Sequence, residues 1–225
     1  MYALRADADP AAVQRLERAF LDCGHFIPEV LHSAIGTNLS TAPVQLIWEH
    51  GYESAEAYQR YMVHPYHAAL LDRFLLADSP ERIVTENDLG AGLVGYACDD
   101  ASYAMTGGVR RVVLLSLAPP AGADLLPLVA ALRRAPEQAP EMSLSVVGSN
   151  TMGSAWFDGV TPLTPPSVWT HVWEQGFATE DDRRGYLDGP SPLAAAERAG
   201  WKGWMDGVVV RSAEVHYVVR TAPTR

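Results

Sequence analysis

The residue pattern best suited to chemistry is Tyr61–His67 (YMVHPYH), which holds two phenols and two imidazoles within seven positions. Pro65 disfavours helical backbone at the residue before it, so the chain is predicted to turn at His64. Pro65 then suits the first turn of a new helix, which places His67 in its opening turn. Apolar residues that follow indicate a helix face turned towards a sheet: Leu70, Leu71 and Phe74.

This arrangement predicts acid–base catalysis without a cofactor. An imidazole on a helix face turned towards a sheet is partly desolvated, which lowers its pKa and keeps it neutral near pH 7. His67 would then take a proton next to a carbonyl group, Tyr61 would donate to the developing enolate oxygen, and His64 would orient them. Such a site suits aldol-type cyclisation, isomerisation or lyase chemistry.

Two other interpretations of the histidines stay open. His64 and His67 could simply fix the turn around Pro65. Their spacing could also hold a metal ion together with Glu49 or His50, although the proline breaks a simple helical pair and no third ligand is dictated. We therefore expect no metal.

The elements that must position these residues are predicted from an internal repeat. Gly36-Thr37-Asn38 recurs as Gly148-Ser149-Asn150, 112 positions later. Trp48–Tyr52 (WEHGY) recurs as Trp173–Phe177 (WEQGF), and Tyr61 recurs as Tyr186, both 125 positions later. The change of offset predicts an inserted loop over 151–168, which is rich in glycine and proline.

Each copy shows the same order of predicted elements, β-α-β-β-α-β, which is the ferredoxin-like pattern. Asp9 and Asp124 are predicted to cap the first helix of each copy, and Ser54 and Thr179 the second. The predicted fold is α+β, with two ferredoxin-like repeats forming an intramolecular dimeric α+β barrel. The first repeat would cover 1–98, a linker 99–108, and the second repeat 109–225.

Further residues are candidates for binding a hydrophobic substrate. They are aromatic or recur on equivalent strands, and comprise Trp48, Glu49, Trp156, His171 and Trp173. Trp156 and Phe157 would act as a lid from the inserted loop. Core packing is the alternative role for the tryptophans, and a solvated position is the alternative for Glu49.

The segment from Trp48 to His67 resembles the stress-responsive A/B barrel family of the dimeric α+β barrel superfamily. The resemblance is close over about residues 44–88, and the whole chain resembles a tandem member with a degenerate second copy. That family contains cofactor-free polyketide cyclases, and the resemblance implies catalytic roles for Tyr61 and His67. A third histidine of those cyclases is matched by Leu46 in the first copy and by His171 in the second.

Composition excludes several classes of partner. The 225 residues carry a net charge of −10, so the chain should repel the phosphate groups of nucleic acid and anionic lipid, and we do not expect it to bind either. The apolar stretch Val112–Leu132 is interrupted by prolines and an aspartate and cannot span a membrane. Cys23 and Cys98 match no metal or disulfide spacing, and with no signal peptide this favours the cytoplasm.

Three functions follow as hypotheses. The first is a cofactor-independent lyase or cyclase acting on a hydrophobic carbonyl compound, polyketide-like or aromatic. The second is a non-enzymatic, stress-responsive protein that binds a hydrophobic ligand. The third is a cofactor-free monooxygenase or a haem-binding barrel. The expected partner is a small hydrophobic molecule, no cofactor is expected, and assembly into a homodimer is left open.

Overall fold

A computed structural model describes most of the chain in seven segments: residues 1–76, 78–85, 94–98, 107–119, 124–151, 168–202 and 208–221. Most of the predicted linker and of the predicted inserted loop, including Trp156 and Phe157, lies outside the described residues.

The chain divides into two compact units. Unit 1 comprises Met1–Asn38, Pro43–Asp88 and Val219–Arg225, and unit 2 comprises Leu39–Ala42 and Leu89–Val218.

Unit 1 combines an antiparallel arrangement of strands with three helices. Its strands are β1 (Ala3–Leu4), β2 (Val30–Thr37), β3 (Leu46–Tyr52), β4 (Val84–Thr85) and β9 (Arg220–Thr221). Its helices are α1 (Pro10–Phe26), α2 (Ala55–Val63) and α3 (Asp72–Leu75), with a π turn over His67–Leu71. Strand β4 pairs with β1, β3 with β2, and β2 with β9, while a single bridge joins Tyr2 to Leu46.

Unit 2 has one four-stranded antiparallel sheet in the order β6-β7-β5-β8. Its strands are β5 (Val109–Leu117), β6 (Met142–Ser149), β7 (His171–Phe177) and β8 (Val209–Val218). Its helices are α4 (Leu126–Arg133), α5 (Ala135–Gln138), α6 (Glu180–Asp188) and α7 (Pro192–Arg198). Helices follow the first and third strands, and the α+β class predicted from the sequence is confirmed.

Three helix boundaries follow the predicted capping residues. The fourth does not, because Asp124 precedes Leu125, the N-cap residue of α4, and its carboxylate accepts from the Leu126 N–H over 2.8 Å. Asp9 accepts a hydrogen bond from the Ala11 N–H at the start of α1, and Ser54 accepts one from the Ala57 N–H at the start of α2. Thr179 and Asp182 form a capping box at the start of α6. His64 ends α2 with extended backbone (φ −66°, ψ 135°), as expected of a residue that precedes proline.

Each unit has its own hydrophobic core between sheet and helices. In unit 1, Leu16 and Phe20 of α1 pack with Ile35 and Leu46 of the sheet, and all are buried. The core of unit 2 is built in the same manner from α4 and β7, with α6 supplying Tyr186. Burying one such large apolar side chain contributes about 1.5–3 kcal/mol, so these faces hold the helices on the strands. None of the described helices is both long and apolar enough to cross a lipid bilayer.

Unit 2 also contains buried ion pairs on its central strand. Arg110 of β5 lies 2.6 Å from the Glu174 carboxylate on β7, and both side chains are almost inaccessible to solvent. Arg111, the next residue, lies 2.6 Å from Glu197 on α7 and also pairs with Glu214 on β8. A buried charge is tolerated only with its partner in place, so these pairs constrain the register of the strands.

We expect Arg110→Leu to destabilise the protein by about 3–5 kcal/mol, because it leaves the Glu174 carboxylate buried without its cation. The double variant Arg110→Leu with Glu174→Leu should recover most of that loss, since neither charge is then buried. Urea denaturation followed by circular dichroism measures both.

The control is Arg184→Leu, which removes a largely exposed partner of Glu180 and should cost less than about 1 kcal/mol. A single Arg110 variant as stable as the wild type would show that this pair does not hold the sheet.

Candidate functional site

A row of aromatic and imidazole rings lines the helix-facing side of β3. Successive strand residues point to opposite faces, so Trp48, His50 and Tyr52 share one face. Trp48 stacks on Phe20 of α1 with ring centroids 3.9 Å apart, which identifies this face as the one turned towards the helices. The segment Leu46–Tyr52 therefore presents three rings to the interior of unit 1.

Tyr61 reaches this row from the last turn of α2. Its ring centroid lies 5.4 Å from His50, 5.1 Å from Tyr52 and 4.5 Å from His67. The side chain is 2% exposed, and its buried hydroxyl makes no hydrogen bond of ordinary geometry among the described residues, although it interacts with the Tyr52 hydroxyl. We call Trp48, His50, Tyr52, Tyr61 and His67 the His67 cluster.

His67 lies at the start of the π turn, and its hydrogen bonding identifies its tautomer. Its Nδ1 lies 3.1 Å from the backbone carbonyl oxygen of Met62. A carbonyl can only accept, so Nδ1 carries the proton and Nε2 carries the lone pair. Within the described residues Nε2 makes no hydrogen bond, which leaves it available as a base.

His50 has the opposite arrangement and is fully committed. Its Nε2 lies 3.3 Å from the Phe20 carbonyl oxygen and its Nδ1 lies 3.1 Å from the Tyr52 hydroxyl. Nε2 must therefore donate to the carbonyl, and Nδ1 accepts from the Tyr52 hydroxyl. His50 thus fixes the Tyr52 phenol and has no free lone pair for catalysis.

Burial keeps both imidazoles neutral. Desolvation lowers the pKa of His67 to about 4, with the Met62 carbonyl opposing the shift. Desolvation likewise lowers the pKa of His50 to about 3. Burial raises the pKa of the Tyr61 phenol well above its ordinary value, and the neighbouring Tyr52 adds to the shift. At neutral pH the cluster therefore holds a neutral base beside a protonated phenol.

His64, predicted to orient the pair, lies in the turn itself. Its Nδ1 accepts a hydrogen bond from the Tyr66 N–H over 3.2 Å, and its own N–H donates to the Tyr61 carbonyl. These contacts fit the turn-fixing role that the sequence left open.

The predicted binding residues fall in different places. Trp48 joins the His67 cluster through its contact with His50, with ring centroids 5.8 Å apart. Glu49 points to the opposite face of β3, where its carboxylate lies 3.4 Å from His32. It therefore does not join the cluster.

The candidates from the second repeat lie in unit 2, whereas His67 belongs to unit 1. Trp173 is a core residue there, fully buried, with its indole N–H donating to the Ser145 hydroxyl over 2.8 Å. His171 is half-buried and contacts the Ser149 and Thr170 hydroxyls. Trp156 lies outside the described residues.

Within the cluster, the sequence predicts no role for Tyr52, and for His50 it offers only the metal-ligand alternative. The signal that could have found them is the two-residue alternation along β3, which places both on the face of Trp48. The π turn after Pro65 has no comparable signature in the sequence, because the same apolar residues suit an ordinary helix.

Neither of the two best-formed cavities in the described part of the chain lies at the cluster. Their volumes are about 280 Å³ and about 180 Å³. The larger is lined by charged side chains that include Arg5, Asp7 and Arg82, and the smaller by residues near Glu29 and Arg60. The strand residues of the cluster are only partly buried, whereas Tyr61 and His67 are buried.

The metal-binding alternative has little geometric support among the residues described. No three side chains of histidine, cysteine, aspartate or glutamate gather there in a way that could hold an ion. Glu49 faces away from His67, and both ring nitrogens of His50 are engaged in hydrogen bonds.

Comparison with known proteins shows the fold and no closer relationship. No protein-family model matches the chain, and no curated protein matches it significantly in sequence. A putative monooxygenase from Fusobacterium nucleatum is 5% identical with a TM-score of 0.60, covering 97% of this chain and 88% of that one.

Two further solved structures are similar over nearly the whole chain. An anthrone oxidase-like protein is 13% identical with a TM-score of 0.55, covering 97% of this chain and 87% of its own. A putative monooxygenase from Lactobacillus acidophilus is 13% identical with a TM-score of 0.53, covering 98% and 92%. At these identities the likeness concerns the fold alone.

We expect the free energy of unfolding to fall as the pH is lowered from about 6.5 towards about 4. The pKa values of His50 and His67 are lower in the folded protein, so the unfolded chain takes up protons first and is favoured. Asp72, whose pKa burial raises to about 6, acts in the opposite sense but is a single group. His50→Gln should reduce the fall by about 1–3 kcal/mol, as measured by urea denaturation across this pH range.

Glutamine is a suitable replacement because its amide can donate to the Phe20 carbonyl and accept from the Tyr52 hydroxyl. The same substitution at exposed His25 is the matched control and should leave the pH dependence unchanged. If His50→Gln unfolds with the pH dependence of the wild type, His50 is not buried in its neutral form.

Proposed function

We propose that this chain is a cofactor-independent enzyme that removes a proton from a hydrophobic aromatic or carbonyl compound at the His67 cluster. The observation that carries the proposal is the approach of a free imidazole lone pair to a buried phenol. The Nε2 of His67 has no hydrogen-bond partner among the described residues, the Tyr61 hydroxyl interacts with that of Tyr52, and the rings of His67 and Tyr61 lie 4.5 Å apart. The neighbouring polar groups of His50, Tyr52 and Tyr66 are engaged.

In this proposal His67 accepts the proton at Nε2 and Tyr61 donates a hydrogen bond to the oxygen on which negative charge develops. The imidazole is neutral and ready to accept, but its lowered pKa makes it a weak base in the empty site. An enolate formed beside it favours the imidazolium by direct attraction, so basicity rises where charge develops. The rings of Trp48 and Tyr52 supply an apolar wall suited to a flat substrate.

The fate of the carbanion distinguishes two reactions. Attack on a second carbonyl carbon would give the lyase or cyclase chemistry expected from the sequence. Reaction with molecular oxygen is the second candidate, and the names of the similar solved structures favour it. There an activated methylene compound and O2 yield a ketone and water, with the methylene carbon oxidised and the oxygen reduced.

The remaining candidate is a non-enzymatic role. His64 and His67 both hydrogen-bond to backbone groups, as they would in a protein where they only fix the turn. Finer assignments also remain proposals. These are membership of the stress-responsive A/B barrel family, the repeat boundaries, the pairing of two repeats into one barrel, and assembly into a homodimer.

We expect the protein to catalyse exchange of the methylene protons of anthrone, or of an aryl 1,3-diketone, with deuterium from solvent under argon. NMR measures the exchange rate, and tryptophan fluorescence measures binding. His67→Ala should lower the rate about 10²–10⁴-fold with binding retained, because the general base is lost. Tyr61→Phe should lower it about 10²-fold through loss of the donor to the enolate.

Tyr186→Phe is the matched control, since it removes a hydroxyl at the repeat-equivalent position of unit 2 and should leave the exchange rate unchanged. Oxygen uptake equal to ketone formed, on admission of air, would select the monooxygenase reaction. Binding without exchange in the wild type would refute the catalytic proposal for these compounds and favour a binding protein.

A further inference from the structure

We propose that Asp72 is a positioning residue whose carboxylate faces the Nδ1–H edge of His67, supports the orientation that the Met62 carbonyl gives the ring, and stabilises the imidazolium. This inference rests on the proposed function of His67 as the base. The Oδ2 atom of Asp72 lies 3.7 Å from His67 Nδ1, beyond hydrogen-bond length but within ion-pair range, while the Met62 carbonyl lies at 3.1 Å.

The π turn is what brings the two residues together. In an α-helix each residue rotates the chain by about 100°, so a residue five positions on points about 140° away. Here the Asp72 N–H donates to the His67 carbonyl, a bond that spans five residues and widens the turn. Asp72 consequently lies one turn above His67, on the same side. Single π turns of this kind are frequently found at functional sites.

Unit 2 provides an internal comparison. A carboxylate follows the recurring tyrosine by eleven positions in both units, as Asp72 after Tyr61 and as Glu197 after Tyr186. Glu197 accepts a hydrogen bond from the Tyr186 hydroxyl over 2.6 Å and pairs with Arg111 at 2.6 Å. Its charge is therefore neutralised within unit 2.

In unit 1 the equivalent carboxylate faces a different partner. Proline stands at position 192, the repeat-equivalent of His67, whereas Asp72 has an imidazole in front of it. The carboxylate at this position thus pairs with an arginine in unit 2 and faces a histidine in unit 1.

The charges around His67 favour this role. Three titratable groups interact with the His67 ring: Tyr61 by ring contact, and His64 and His50 electrostatically. None of them carries a negative charge at neutral pH. Asp72 is the carboxylate within ion-pair range, and its side chain is 23% exposed. Burial raises the pKa of Asp72 to about 6, so at pH 7 to 8 it is ionised and attracts the imidazolium.

NMR of the full chain labelled with 15N-histidine tests the inference without any substrate. The His67 signals are assigned from their loss in His67→Ala. The wild type should show a proton on Nδ1 and none on Nε2. Asp72→Asn should lower the pKa of His67 by about one unit, a tenfold change in the protonated fraction, while the Met62 carbonyl keeps the proton on Nδ1. Asp72→Glu should restore the pKa.

Proton exchange on anthrone gives the second measurement. Asp72→Asn should lower the maximal exchange rate about tenfold with little change in the substrate concentration at half-maximal rate, because the imidazolium is destabilised and binding is not. Glu197→Gln is the matched control at the equivalent position of unit 2, and it should leave the His67 signals and the exchange rate unchanged.

The outcomes separate this inference from the proposed function. If Asp72→Asn leaves the pKa of His67 as in the wild type, the inference is wrong, whatever the activity. If the His67 signals change but no compound undergoes exchange, the positioning contact stands and the proposed function fails. Should Asp72→Asn not fold, the wild-type His67 shifts must still show a step where Asp72 titrates, and a flat response there would overturn the inference.

Discussion

The break between α2 and the π turn is the constraint on which the site depends. The last carbonyl groups of a helix lack donors within the helix. Pro65 has no N–H to offer, and the Tyr66 N–H, which would ordinarily reach Met62, is taken by the Nδ1 of His64. The Met62 carbonyl is therefore left for the side chain of His67. Completing the hydrogen bonding of a helix end thus fixes the tautomer of an imidazole and directs its lone pair away from the backbone.

The two units show how one frame can hold two different interiors. Ser33 donates to the Phe20 carbonyl in unit 1 and Ser145 to the Leu132 carbonyl in unit 2, each over 2.5 Å, and the spacing within each pair is identical. These bonds tie the first helix to the second strand in both units. At one strand position unit 1 has His50 and unit 2 has Gln175. In unit 2, Arg111 donates a hydrogen bond to the Gln175 side chain. The proposed chemistry is therefore assigned to unit 1, while unit 2 contains buried ion pairs.

Local features of this chain could be predicted from sequence because short-range physics determines them. The caps at Asp9, Ser54 and Thr179, the extended backbone at His64 and the α+β class follow from residue type and spacing. The meeting of Tyr61 and His67 was also expected. The π turn, the tautomer of His67 and the approach of Asp72 could not be predicted, since each depends on which donors remain once the neighbouring bonds have formed. His50 is an intermediate case. The alternation along β3 predicts which face of the strand it occupies, but not its hydrogen bonds to Phe20 and Tyr52.

The burial of His67 and the proposed chemistry impose one requirement on each other. A substrate that contacts His67 excludes water from the ring it meets. Exclusion of water lowers the basicity of a histidine, which is already weak here. The attraction of a nearby carboxylate and of the charge formed on the substrate must therefore offset desolvation. A site with a buried base is suited to flat apolar compounds that become anionic only after binding, because a ligand that is already charged would lose its hydration on entering.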